Sequence, residues 1–245
     1  DLRKEGKVAD VPLIQGQCTE DGSLWTLGLI PESADGGFNR SEFQYYLWHN
    51  LVSIWAPQFE DDVVMDLYHA LEWYYAPWPH IEDEDLNRDA FTDMITDAAF
   101  GYTGDKQLKY SQDTQPQTWH YLMGFRSPNA SQWVPEWMGV PHNGELPYVW
   151  GYPFLLLNEA VRNDSGIHFD IIKWTEDEDV PYADFVSTAW TNFAKTGNPN
   201  TPVQLEPPFP QEQVDWPVYD MEDYNYYLMA DTVSQETEYR QRNFA

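Results

Sequence analysis

The chain has 245 residues, with 13 Lys and Arg against 41 Asp and Glu, a formal net charge of −28, 42% hydrophobic residues and 16% aromatics. Its 12 Trp, 16 Tyr and 12 Phe supply apolar ring surface that a disordered acidic polymer lacks, so a packed core is expected. A surface this acidic repels phosphate backbones, which excludes nucleic acid as a partner, and the longest apolar stretches, such as Tyr152 to Leu157, fall far short of the roughly 20 residues that span a bilayer.

In chain order, Val11-Pro12-Leu13-Ile14-Gln15 reads as a short buried strand closed by Gly16. Ser41-Glu42-Phe43-Gln44 has the pattern of a capping box, and the apolar positions Tyr45, Leu47, Leu51 and Ile54 predict a helix running to about Trp55. A second helix is expected from about Glu60 to Tyr75, ended by Pro77-Trp78-Pro79. Past the acidic stretch 81–89, Phe91, Ile95, Ala98 and Ala99 share one helical face. Thr118 to Phe125 is continuous and aromatic, as a buried strand is, and Tyr182 to Lys195 predicts a long amphipathic helix stopped by Gly197 and Pro199. Glu206-Pro207-Pro208-Phe209-Pro210 reads as an extended surface connection. With no internal repeat and few strands among many helices, the expectation is an α/β fold in one domain or part of one.

The charge runs Glu82 to Asp85 and Glu176 to Asp179 lack the spaced ligands and central glycine of a calcium loop, so both are read as solvated faces. The six histidines form no i, i+4 pair and Cys18 stands alone, so neither a metal nor an internal disulfide is expected. The chain begins with Asp1 rather than Met and shows no charged start followed by an apolar run, which reads as a processed sequence. Asn39, Asn129 and Asn163 each open an Asn-x-Ser triplet among polar turn residues, and together they favour a secreted glycoprotein.

Two stretches carry candidate chemistry. Gly16-Gln17-Cys18-Thr19-Glu20-Asp21-Gly22-Ser23 places acids on a tight turn directly after the first strand, and 133–151 sets His142 on a Pro/Gly loop among aromatics. In a Ser-His-acid relay the imidazole takes the serine proton while a carboxylate holds its other N–H. In α/β-hydrolases the order along the chain is Ser, acid, His, and Asp21 precedes His142 by 121 residues. That spacing alone is weak evidence.

These two stretches, with Ala189-Trp190-Thr191-Asn192-Phe193-Ala194-Lys195-Thr196-Gly197-Asn198-Pro199-Asn200 and Asp215-Trp216-Pro217-Val218-Tyr219, resemble the C-terminal half of the carboxylesterase/cholinesterase family, from about Val11 onward. Pro135-Glu136-Trp137-Met138-Gly139-Val140 is closest to the cholinesterase version. The resemblance implies an α/β-hydrolase fold with a mostly parallel central sheet flanked by helices and no cofactor. It also implies Asp21 as the acid of the triad, where cholinesterases usually have Glu, His142 as its histidine, and Glu145 as a buried carboxylate supporting that histidine. Asn143-Gly144 stands where the family more often starts with Gly. The family's disulfide partner near 99–102 is not present, and Leu24, Trp25 and Gly28 depart from the cholinesterase gorge, so choline-ester specificity is not expected.

The family's Gly-x-Ser-x-Gly elbow and glycine-rich oxyanion loop belong to its N-terminal half, and neither pattern occurs in these residues. The resemblance therefore implies a fragment, or a split molecule with a companion chain carrying the first half of the sheet, the basic region 2–7 suiting a cleavage point. It implies a carboxylic ester hydrolase when so completed. The alternative is a non-catalytic neuroligin-like adhesion, storage or ligand-binding protein. Family practice also implies a homodimer through the helix at 182–195 and the segment 236–244.

Overall fold

The computed structural model describes residues 5, 7, 9–52, 56, 59–112, 117–132, 134–157 and 173–238. Asn163, most of the basic region at 2–7, Trp133 and the final residues 239–245 lie outside them. The chain divides into two units, residues 1–19 with 101–245, and residues 20–100.

The first unit is built on a sheet in the order β1 (Leu13–Cys18), β2 (Thr118–Met123), β3 (Tyr226–Met229) and β4 (Val233–Glu236). β1, β2 and β3 run parallel and β4 closes the edge antiparallel, so the sheet is mixed and mostly parallel, as the resemblance implied. Every residue of β2 is buried, which is what a strand covered on both faces requires of the run Thr-Trp-His-Tyr-Leu-Met. Side chains alternate across a sheet, so Trp119, Tyr121 and Met123 share one face and join Ala183, Val186 and Ala189 in a core cluster. Those alanines and Val186 belong to the long helix over Asp179–Thr196, which starts three residues before the predicted span. On the other face, His120 meets Leu108 of the helix over Tyr102–Gln112, which the sequence reading did not find.

β1 does not close at Gly16. The strand runs on to Cys18 because Gly16 pairs with Tyr121, whose ring lies where a Cβ would be, 2.3 Å away. The glycine admits a ring rather than starting a turn. Two further aromatic pairs lock the far side of the sheet: Trp216 stacks on Tyr227 at 5.3 Å, and Tyr182 stacks on Phe125 at 3.8 Å while donating to the Met229 carbonyl at 2.6 Å.

The second unit is helical. α1 (Ser23–Leu29), α2 (Arg40–Tyr46), α3 (Asp61–Tyr75) and α4 (Glu84–Ile95) surround a core containing Phe38, Phe43, Leu47, Phe91, Met94 and Ile95. Among the described residues the α-helices of the first unit are α5 (Tyr102–Gln112), α6 (Leu146–Val149), α7 (Tyr152–Leu157) and α8 (Asp179–Thr196). α2 and α4 both pass into wider π-helical turns, over Leu47–Val52 and Thr96–Gly101. The cap of α2 is not the expected Ser41-Gln44 box. Asn39 takes that role, its side chain accepting from the Ser41 and Glu42 amides at 2.9 and 3.1 Å, while the Asn39 amide donates to Glu42 Oε2 at 2.8 Å. Asn is among the best N-caps and stands two residues earlier, so Ser41 falls inside the first turn.

The acidic run Glu82 to Asp85 is exposed as expected, with Asp83 capping α4 through the Leu86 amide at 3.0 Å. The run Glu176 to Asp179 departs from expectation at its last member. Glu176, Asp177 and Glu178 face solvent, but Asp179 is fully buried, because it opens α8 where its carboxylate meets four hydrogen-bond donors on three residues. No helix among the described residues is long and apolar enough to cross a membrane, and no group of His, Cys, Asp and Glu among them is arranged to hold a metal ion.

Candidate active site

Past β2 the chain has to reverse and present the histidine turn. Arg126, just after the strand, does much of this, since its planar guanidinium offers several donors in a fixed fork. Nη2 donates to the carbonyls of Val134 at 2.8 Å and Pro135 at 3.3 Å, and Nη1 donates to the carbonyl of Gly139. One side chain so gathers both ends of the Pro135-to-Gly139 segment. Met138 is buried inside it at 1% exposure, and Gly139 takes φ +51°, turning the chain toward Val140.

His142 is half-buried and follows directly. The Gly144 amide donates to the Pro141 carbonyl at 2.8 Å, and the Leu146 amide to the Asn143 carbonyl at 3.1 Å, so two interlocked turns fix the backbone around the imidazole. Asn143 has φ +68°, the left-handed region where Asn is the most tolerated residue after Gly. That explains physically how an Asn-Gly pair substitutes for the glycine start usual in the family. At Gly144 a Cβ would stand 2.7 Å from Val140 Cγ1 and 2.9 Å from the Pro141 carbonyl oxygen, so only glycine closes the turn.

Glu145 is half-buried and accepts a hydrogen bond from Cys18 Sγ at 3.1 Å. Its backbone carbonyl accepts from the amides of Tyr148 and Val149, which starts α6. Tyr148 in turn donates its hydroxyl to Asp179 Oδ1 at 2.9 Å. The other oxygen of Asp179 receives Ser127 Oγ at 3.0 Å and both the amide and hydroxyl of Thr175, at 2.7 and 3.0 Å. A buried carboxylate with four donors is satisfied in full. Burial, and next the Asp179 charge, raise the Tyr148 phenol well above its ordinary range, so it stays a neutral donor.

Asp21 lies in the other unit, at 2% exposure, on the turn that leads into α1. This turn is held by close approach rather than by long side chains. The Gly22 amide donates to Thr96 Oγ1 at 2.9 Å, Thr96 Oγ1 donates to the Thr92 carbonyl at 2.8 Å, and Thr26 and Thr92 share a hydroxyl bond at 2.9 Å. A Cβ on Gly22 would sit 2.6 Å from both the Thr92 carbonyl oxygen and the Thr96 amide nitrogen.

The structure thus brings Glu145 into the His142 turn, while Asp21 stands on its own buried turn. The sequence reading did not single out Arg126, took Asp179 for part of a solvated face and gave Cys18 no partner, whereas the structure bonds Arg126 to the carbonyls of the turn, Asp179 to Tyr148 and Cys18 to Glu145. The three glycosylation candidates separate as well. Asn39 is exposed and uses only its Oδ1 in the helix cap, Asn129 is half-buried with Nδ2 donating to the Lys173 carbonyl at 2.5 Å, and Asn163 lies outside the described residues. A cavity of about 20 Å³ lies behind the turn, between Arg126, Gly139, Val140, Gly144, Tyr148 and Trp174, and another of about 10 Å³ lies beside His120. Each has room for about one water and for no substrate.

Over 210 residues, 85% of this chain, the sequence is 24% identical to human neuroligin-2, and over 236 residues, 92% of this chain, it is 23% identical to mouse neuroligin-3. It is also 28% identical over 136 residues, 56% of this chain, to the medium-chain fatty acyl-CoA hydrolase precursor of Anas platyrhynchos. These alignments cover 23%, 26% and 20% of the respective relatives, so the chain spans about a quarter of their length or less. The carboxylesterase family model matches residues 1–245, and the chain belongs to the carboxylesterase family.

Proposed function

We propose that this chain supplies the histidine and the carboxylate of a Ser-Asp-His relay for hydrolysing a carboxylic ester, with the serine carried on the N-terminal half of the fold. The observation that carries the reading is the state of the His142 turn: its backbone is gathered by Arg126, its far end is tied to Asp179 through Tyr148, and Glu145 is held by Cys18. Such rigidity suits a base that has to meet a serine at fixed distance. In this mechanism the serine oxygen adds to the ester carbonyl carbon while His142 takes the serine proton. His142 then passes that proton to the departing alkoxide, and the alcohol leaves the acyl-serine. Water, deprotonated by His142, releases the acid and restores the serine. Asp21 accepts the second imidazole N–H and stabilises the imidazolium, and backbone amides on the other half hold the oxyanion.

The sheet supports a companion half. Among the described residues β1 is an edge strand, with no strand on the side away from β2, which is where a further strand of the sheet would add. The protein is, in the same reading, a secreted glycoprotein with its sugar on Asn39, because a glycan on Nδ2 leaves the Oδ1 cap intact. Dimerisation would use the exposed strip of α8 at Asp184, Thr191 and Lys195, and light scattering of the intact protein tests it, with a monomeric mass as the contrary result. The long matches to neuroligins favour one second reading, a cholinesterase-like adhesion, storage or ligand-binding protein without turnover.

The test is ester hydrolysis by the full-length protein and its His142→Ala variant. The reading predicts a kcat lower by about 10⁶ with unchanged thermal stability, since removing the triad histidine leaves only oxyanion and binding contributions. Equal turnover in the two proteins would remove His142 from the mechanism.

A further inference from the structure

β1 ends at Cys18, which is completely buried, and the thiol reaches across 127 residues of sequence to donate to Glu145 Oε2 at 3.1 Å. The sulfur also lies beside the neighbouring residue: a Cβ added at Gly144 would stand 3.7 Å from Sγ. It is the one cysteine of the chain, so no disulfide within the chain claims it. A thiol is a weak donor, but a carboxylate is the strongest acceptor it can meet, and the sulfur is buried while Glu145 is half-buried.

The position of this contact matters. Arg126 holds the backbone before His142, at Gly139, and Asp179 holds the chain after it, through Tyr148. Cys18 engages the segment between these two supports, at Gly144 and Glu145, two and three residues beyond the imidazole. We propose that Cys18 is a positioning residue for His142: its thiol holds the Glu145 carboxylate against the end of β1 and so fixes the turn on which the imidazole is carried. This rests on the reading of His142 as the base of the relay. Serine would keep a donor at this place, whereas alanine would leave the Glu145 oxygen without one.

The experiment uses the full-length protein and the variants Cys18→Ser, Cys18→Ala and Glu145→Gln. The infrared S–H stretch of Cys18 is isolated by subtracting the Cys18→Ser spectrum. It is expected below the position of an unbonded thiol and should move upward in Glu145→Gln, where the acceptor is weaker. The imidazole ¹⁵N and ¹H signals of His142, assigned with His142→Ala, should be single and sharp in the wild type and in Cys18→Ser, and multiple or broadened in Cys18→Ala. Turnover should fall about tenfold in Cys18→Ala with KM unchanged, as expected for a misplaced base, and recover in Cys18→Ser. An S–H band that ignores Glu145→Gln, or His142 signals in Cys18→Ala that match the wild type, would overturn the proposal. Full turnover by His142→Ala would instead defeat the hydrolase reading, and the two spectroscopic results would still decide whether Cys18 holds the turn.

Discussion

The histidine turn and the acid turn are both rigid, but they are held by opposite means. Around His142 the supports are long or buried polar side chains from distant parts of the chain: Arg126 to three carbonyls, Asp179 to three residues, Cys18 to Glu145. Around Asp21 the supports are the lack of a side chain at Gly22 and short hydroxyls on Thr26, Thr92 and Thr96. A loop that closes far from its anchors needs reach and directionality. A turn pressed directly on a helix needs only to be small. The first design is therefore broken by deleting polar groups, and the second by adding volume.

The largest structural effect is expected at Asp179. Replacing it by Ala strands the hydroxyls of Ser127 and Tyr148 and the donors of Thr175, a loss of about 4 kcal/mol by the usual cost of orphaned buried groups, measurable in a denaturant titration. A loss under about 1 kcal/mol would mean that the carboxylate is not the anchor of α6, on the scale of an ordinary surface change.

Next comes acid. Burial pushes the His120 imidazole down to about 4, against an opposing hydrogen bond to the Asn225 backbone. The unfolded chain takes up this proton near the ordinary value of about 6.5 and the folded one only near 4, so His120 removes stability as pH falls through that interval, by about 3 kcal/mol, and none further below it. At neutral pH the contribution is complete. His49, His69 and His80 in the helical unit are all exposed, so amide exchange at pH 4.5 should loosen the sheet unit before the helical one. In His120→Asn the slope of stability across this pH range should flatten; an unchanged slope would assign the acid sensitivity to other groups.

Smaller effects follow at the two turns. Gly22→Ala forces a methyl onto the backbone of α4 and should cost about 2 kcal/mol, the range of overpacking, whereas the reverse kind of change, Thr92→Ser, should cost less than about 1 kcal/mol. Equal tolerance of both would break the contrast drawn between the turns. Smallest is Asn143→Ala, about 1 kcal/mol for a left-handed residue, with Asn143→Gly near neutral in the same thermal melts.

Where the sequence was legible, one local signal sufficed. The apolar run of β2, the amphipathic period of α8 and the Pro/Gly/His texture of the histidine turn each report burial or a turn within a few residues. Gly16 was misread because a glycine inside a strand looks the same as one that ends it until the Tyr121 ring is placed beside it. The cap read at Ser41 belongs to Asn39 because a short polar residue two positions earlier fits the same pattern, and only the backbone angles decide between them. Asp179 was hidden in an acidic run whose other members are solvated, and its donors on Ser127 and Tyr148 stand 52 and 31 residues away. The partnership of Cys18 with Glu145, 127 residues apart, leaves no trace in a single sequence. Local propensity marks elements and turns; the polar contacts that steady a site are non-local.

The account's central claim is that His142 activates a serine. The most direct measurement is labelling of the full-length protein by a fluorophosphonate probe, in the wild type and in His142→Ala, with folding of both confirmed by circular dichroism. The account predicts that the wild type takes the label on one serine and that His142→Ala takes it at least about 100-fold more slowly. A folded wild type that takes no label, or a His142→Ala variant labelled at the wild-type rate, would contradict it.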